Sequence, residues 1–219
     1  MADKKGKGLL MVFVDVPADK EEDFNRWYNE EHIPELLTIP GVLNAARYEA
    51  VKSGPKHLAC YELESASVVD SDAWTKRPKS EWALRVGPQV IGSNFLNPVF
   101  EIIRPATLTP EAAQSDMAPA LQIGRMDIPP EHEDEWNHWY NTVYTANYET
   151  VSGCIRARRL KGVKGLTGYG VIYEFVDEKV SEQAEWLKQR DINPDNARMR
   201  SLMKHAPQSP GVWKKTFQL

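Results

Sequence analysis

An α+β fold, made of two fused ferredoxin-like β-α-β-β-α-β repeats, is what this sequence predicts, and two observations carry the prediction. The first is internal repetition. "EEDFNRWYN" at 21–29 and "EDEWNHWYN" at 133–141 match almost position for position, so Trp27, Tyr28 and Asn29 correspond to Trp139, Tyr140 and Asn141. The same offset of 112 residues, without a gap, relates Asp15 to Asp127, Pro17 to Pro129, Gly41 to Gly153 and Arg47 to Arg159. It also relates Tyr61–Glu62 to Tyr173–Glu174, Trp74 to Trp186 and Pro98 to Pro210. The second observation is the order of elements, which is the same in each repeat. The repeats run over 8–104 and 120–217, and the segment between, 105–119, is rich in Pro, Ala and Ser with no sustained apolar pattern, so it reads as a linker.

Each element follows from its local composition. "LLMVFVDVP" is a strand by its β-branched and aromatic content. "DKEEDFNRWYNEEH" is a helix, with acids in the first turn that suit the positive end of the helix dipole. Pro34 disfavours helical geometry at Ile33, so this helix is expected to end near His32. "GVLNAARYEAV" and "HLACYELE" are two further strands, "SDAWTKRPKSEWALRVG" is helical with an interruption at Pro78, and "NPVFEIIR" is the last strand. In the second repeat "INPDNARMRSLMKH" offers Asn193 as an N-cap and Pro194 as the first helical residue. A ferredoxin-like unit carries its helices on one face of an antiparallel sheet. Two such units in one chain can press their open faces together as an internal pseudo-dimer.

Composition narrows the function classes. With 42% hydrophobic and 26% charged residues the 219-residue chain is an ordinary globular protein with a core. A net charge of −4 argues against nucleic acid as a partner. No apolar run approaches the roughly 18 residues of a membrane span, so no membrane role is expected. The apolar run after the basic start lacks a small-residue cleavage site and reads as a strand rather than a signal peptide. Cys60 and Cys154 lie in strands without metal-ligand spacing, which fits free thiols in a cytoplasmic protein. The sequence also lacks a Gly-rich phosphate loop, a GxSxG elbow, an HExxH pair and a CxxC pair, so neither a metal nor a nucleotide cofactor is expected.

"FNRWYNEEHIPELLTIPGV" resembles the helix of the EthD-like branch of dimeric α+β barrel proteins, where an aromatic-rich helix runs into a His-x-Pro step and a glycine turn; here the step is His32-Ile33-Pro34. The second repeat has Tyr144 and Ala146 at the histidine and proline positions, so the resemblance implies one site of the usual kind per chain. It implies an intramolecular dimeric α+β barrel with a pocket between sheet and helices, in a family of small-molecule cyclases, isomerases, decarboxylases, cofactor-free oxygenases and some haem proteins.

Candidate site residues follow from pattern and from the differences between repeats. At about 100° per residue, Phe24, Trp27, Tyr28, Glu31 and Glu35 share one helix face, with His32 at its edge. Trp27 and Tyr28 recur in both repeats and suit either core or the wall of a substrate pocket. Glu31 stands where the second repeat has Val143, so it is partnered, lines a wet cavity, or reaches solvent from a frayed end. A helix C-terminus and neighbouring Glu31 or Glu35 would favour a protonated His32, either as a proton donor or simply capping helix carbonyls. His57 alternates with Ala59 and Tyr61, which makes His57 and Tyr61 substrate contacts if that face meets the helices. Arg47 and Arg159 are expected on a solvated strand or in an ion pair between repeats, with Arg156 and Arg158 on one strand face and Arg159 on the other.

The expected function is a cofactor-independent, cytoplasmic enzyme that moves protons on a small aromatic or polyketide-like molecule, as an isomerase, cyclase or lyase. His32, Glu31 and His57 are its candidate catalytic residues. Trp27, Tyr28, Glu35, Tyr61 and, in the second repeat, Tyr144 are its candidate substrate contacts. A non-catalytic ligand binder, a haem protein with a histidine ligand, and a cofactor-free oxygenase are the rival readings, and a further homodimer of the fused pair is left open.

Overall fold

The computed structural model describes residues 2–166 and 168–219. In the first half β1 (Gly8–Asp15) leads into α1 (Glu21–Trp27), a π-helical turn (Tyr28–His32) and α2 (Ile33–Leu37), followed by β2 (Val42–Lys52) and β3 (His57–Leu63). Short helices α3 (Asp72–Thr75), α4 (Glu81–Val86) and α5 (Pro88–Ile91) precede the edge strand β4 (Ser93–Leu96) and the strand β5 (Val99–Arg104). After α6 (Pro110–Gln114) the order recurs 112 residues on. It runs β6 (Ala120–Asp127), α7 (Glu133–Trp139), a π turn (Tyr140–Tyr144), α8 (Thr145–Glu149), β7 (Cys154–Lys164) and β8 (Tyr169–Phe175), then α9 (Ala184–Lys188), α10 (Asn196–Ser201), β9 (Lys204–His205) and β10 (Gly211–Gln218).

Eight strands close into an antiparallel barrel in the order β10-β2-β3-β1-β5-β7-β8-β6, with β6 returning to β10. The seams between the halves are β5 with β7 and β10 with β2. The last strand of each half therefore lies beside a strand of the other half as well as one of its own. β1 shows why its sequence is apolar throughout. Leu9, Met11 and Phe13 face the barrel interior, while Leu10, Val12 and Val14 face the first-half helices. Each helix layer enters its second strand through a glycine at φ +88°, Gly41 and Gly153, where a Cβ would lie 2.7 Å from Val68 and Val180.

Three differences from the sequence reading have physical causes. Ile33 is helical despite preceding proline, because the π turn shifts the hydrogen bonding: the Ile33 N–H donates to the Tyr28 carbonyl five residues back. Pro34 then sits in the first turn of α2, where no N–H is required. Thr145 N–H makes the same bond to Tyr140 beside Ala146, so the turn does not depend on proline. In the second half Asn193 Oδ1 accepts from the Asp195 N–H, an Asx turn that delays α10 to Asn196. The segment 105–119 contains α6, capped by Thr109, and its Met117 and Ala118 are buried in the barrel core.

Arg47 and Arg159 are neither solvated nor paired between the halves. The Arg47 guanidinium donates to Asn29 and Asn25 Oδ1 at 3.0 and 2.6 Å and lies over the Tyr28 ring. Arg159 donates to Asn141 and Asn137 Oδ1, both at 2.9 Å, over Tyr140. Each arginine pins its own helix to its own sheet.

The interior charge is carried by β3, β7 and β8. Arg158 donates to Glu62 Oε2 at 3.0 Å and Oε1 at 2.6 Å, bridging the halves, and its Nε lies 2.8 Å from Glu174 Oε1. Arg156 Nε lies 2.9 Å from Glu174 Oε2. Glu62, Glu174 and Arg158 are all at most 1% exposed. At one end of this cluster the Lys5 ammonium donates to Ser115 Oγ and the Asp116 carbonyl, and burial lowers its pKa to about 8. Removing the guanidinium with Arg158→Met is expected to cost about 3–5 kcal/mol, because two buried carboxylates lose their main counter-charge. Urea unfolding of the variant measures this, and a loss below about 1 kcal/mol would show that Arg156 alone suffices.

Candidate active site

A cavity of about 340 Å³ opens between the π turn, the helix-side face of the first-half sheet and the segment carrying α3 to α5. Trp27, Tyr28, His32 and Tyr61 form its inner wall, with Leu10, Val12 and Val99 beneath, and Glu35 and Arg77 stand toward its polar side. The π turn places the aromatic groups. His32 stacks on the Trp27 indole at 4.4 Å and 23°, and its edge meets Tyr28 at 5.0 Å. Tyr61, on the helix-side face of β3, meets His32 edge-on at 6.4 Å. The Tyr28 and Tyr61 phenols adjoin without a well-formed hydrogen bond, and Tyr61 Oη has no partner among the described residues. A buried hydroxyl beside a cavity is a donor left for a ligand oxygen.

The electrostatics of His32 reverse the expected protonation. Burial first, then the Arg77 and Arg47 charges, lower its pKa to about 3, so the ring is neutral near pH 7. Glu35 Oε2 lies 3.9 Å from Nδ1, too far for a hydrogen bond in this conformation and too far to offset desolvation. Burial, with Glu31 nearby, raises the Glu35 pKa, while Arg77, whose Nε is 3.8 Å away, opposes the rise. Glu35 thus stands between an imidazole and a guanidinium. Arg77 is itself held by the Trp74 carbonyl at 2.7 Å and lies over that indole.

Of the candidate residues, His32, Glu35, Trp27, Tyr28 and Tyr61 meet at this cavity, and Glu31 and His57 do not line it. Glu31 accepts from Trp27 Nε1 at 2.9 Å and from Ser80 Oγ, tying the helix to the start of α4. His57 lies against Phe24, at 5.2 Å, with its pKa lowered to about 4 chiefly by burial. Tyr144 lines a second pocket of about 490 Å³, with Tyr140, Tyr148, Tyr173, Arg190 and Arg200. There it leans on Trp139 at 4.6 Å, as His32 does on Trp27, and meets Tyr148 Oη at 3.4 Å. Sequence reasoning missed Arg77, which reaches the cavity from α3's far end. Its one signal was the proline after it, which breaks the helix there.

No protein-family model matches this sequence, and no curated protein matches it. Solved structures do. An anthrone oxidase-like protein aligns over 99% of this chain and 94% of its own, at 16% identity and TM-score 0.67. A chlorite dismutase-like protein aligns over 97% and 96%, at 12% identity and TM-score 0.63. A haem-binding protein from Thermus thermophilus aligns over 97% and 92%, at 13% identity and TM-score 0.57. The fold is that of the dimeric α+β barrel proteins. At these identities the likeness is one of fold. No helix of the chain is long and apolar enough to cross a membrane, among the described residues.

The His32 imidazole is expected to keep the NMR signals of the neutral ring down to about pH 5. Its folded pKa lies below its ordinary 6.5, so between those values the unfolded chain binds more protons and stability falls as pH drops. His32→Gln should remove a dependence on the order of 1.4 kcal/mol per pH unit within that window. Denaturation midpoints at pH 7 and pH 5 show it, and equal acid sensitivity of the two proteins would contradict it.

Proposed function

We propose that the first-half cavity belongs to a cytoplasmic, cofactor-independent enzyme of EthD-like kind. It abstracts and returns a proton on a small aromatic or polyketide-like ketone or phenol. The chain would be a tandem fusion of two ferredoxin-like units, of which the first carries this site. The observation that carries the reading is His32 stacked in an aromatic wall, with a carboxylate facing Nδ1 and the Tyr61 phenol beside it. The pocket's size and its mainly apolar lining with a few converging polar groups suit one small planar ligand.

The chemistry follows from the placement. With Nδ1 turned to Glu35, Nε2 is the ring atom left for substrate. It takes the proton from the carbon beside a carbonyl, and the electron pair moves onto the carbonyl oxygen as an enolate. The Tyr61 hydroxyl donates to that oxygen, and Arg77 balances its charge. The imidazolium formed is stabilised once Glu35 closes on Nδ1, a tightening that empty sites commonly await. Returning the proton to another carbon gives an isomer, and bond formation or cleavage at the enolate gives cyclase or lyase chemistry. Trp27 and Tyr28 hold the substrate plane.

Haem is the rival cofactor. Among the described residues His32 is the one histidine lining this cavity and would hold the haem iron, with Glu35 opposite Nδ1 as an outer partner of the kind that ligating histidines use. Haem would supply redox chemistry there.

Binding of hydroxylated aromatic ketones, followed by calorimetry, and proton exchange at their α-carbon in heavy water, followed by NMR, test the proposal. His32→Gln should retain affinity and slow exchange by about 10²–10⁴. Binding without exchange in the native protein makes it a ligand carrier. A Soret band on adding haem, lost in His32→Gln, favours the haem reading.

A further inference from the structure

A second cluster lies beside Phe24 and outside the cavity. Glu21 opens α1, and Glu49 and His57 face each other across the β2–β3 pair. Each offers one ligand atom, and these atoms all lie within 4.8 Å of one another. His57 is 2% exposed, yet neither of its ring nitrogens has a hydrogen-bond partner among the described residues. Its Nε2 is turned to Glu21 Oε1 at 3.4 Å without forming such a bond. A buried imidazole with two unsatisfied nitrogens demands a reason.

The second half supplies one. At the same three positions stand Glu133, Lys161 and Tyr169. The Lys161 ammonium lies 2.9 Å from Glu133 Oε1 and 3.2 Å from Tyr169 Oη, and Tyr169 donates to Glu133. That version is closed by a built-in cation. The first half places Glu49 where the lysine would be, so the ammonium is replaced by a second carboxylate and the phenol by an imidazole. Lys56 reaches Glu21 Oε1 at 2.5 Å from outside, but its side chain is 48% exposed and gives His57 no partner. Arg47, the other nearby cation, is committed to Asn25 and Asn29.

We propose that Glu21, Glu49 and His57 bind one divalent transition-metal ion, of the zinc type, at the place the Lys161 ammonium fills in the second half. Two carboxylates with one imidazole suit such an ion, and a water completes its shell. Lys56 turns out to solvent when the metal enters. The ion ties the start of α1 to β2 and β3, behind the Phe24 ring that packs on Tyr28 at 5.0 Å. It is a structural clamp, separate from the cavity and from its proposed chemistry.

The test uses the full chain, stripped with chelator, and titrated with Zn²⁺ in calorimetry and with Co²⁺ in visible absorption. One equivalent is expected to bind, shifting the His57 imidazole signals and raising Tm by several degrees at saturation. Glu49→Lys imitates the second half, so it should fold and lose both the binding and the Tm rise. His57→Gln carries the same test should Glu49→Lys fail to fold. No uptake by the native chain, or uptake unchanged in a folded variant, as binding at surface histidines would give, overturns the proposal.

Discussion

The Arg158 guanidinium, held between Glu62 and Glu174 in the barrel interior, is the interaction on which the two halves' fit depends. Glu62 and Glu174 occupy the same position in their respective strands, so closing the barrel brings two like charges into one apolar space. A buried carboxylate is costly without a counter-charge, and two are worse. The first half contributes no arginine to the cluster, because Asn44 and Ala46 stand where Arg156 and Arg158 do, and supplies only the Lys5 ammonium at its end. The second half supplies both arginines. The halves are therefore complementary and not interchangeable, although their backbones follow one plan.

The same division appears outside the barrel. Leu, Phe, Ile and Met pack the barrel interior, and the two pockets described above lie between sheet and helices. The π turn, the Asn–Arg clamp and the Trp–Tyr pair are common to both layers. What differs is what those fixtures hold: an imidazole facing a carboxylate in the first half, and a phenol facing a second phenol in the other. Shared residues set the geometry, and the residues that differ set the chemistry.

Most of the architecture was legible because its signals are local and repeated. The order of elements recurs at the offset that separates Trp27 from Trp139, and β-branched and aromatic content marked the main strands. The edge strands β4 and β9, of four residues and two, are too short to show a period. Arg47 misled because a charged residue on a strand ordinarily faces water, and only the asparagines at positions 25 and 29, one helical turn apart, explain its burial. His32 was legible as a site residue but not in its protonation. Sequence neighbours suggested a charged ring, while desolvation by residues distant in the chain decides for a neutral one. Arg77 escaped for the same reason: Pro78 marks a break in the chain, but nothing in sequence brings position 77 to position 35.

The seam between β10 and β2 has a consequence for how the chain is made. Its register pairs Val212 with Lys52 and Gln218 with Ala46, residues separated by most of the sequence. Contacts of that span form late, after the loop-closure entropy has been met. During synthesis β2 keeps an open edge until β10 has left the ribosome, and an open edge invites pairing with other chains. The exposed Lys52 and the half-exposed Glu49 lie along that edge, where charge discourages such pairing until the native partner arrives.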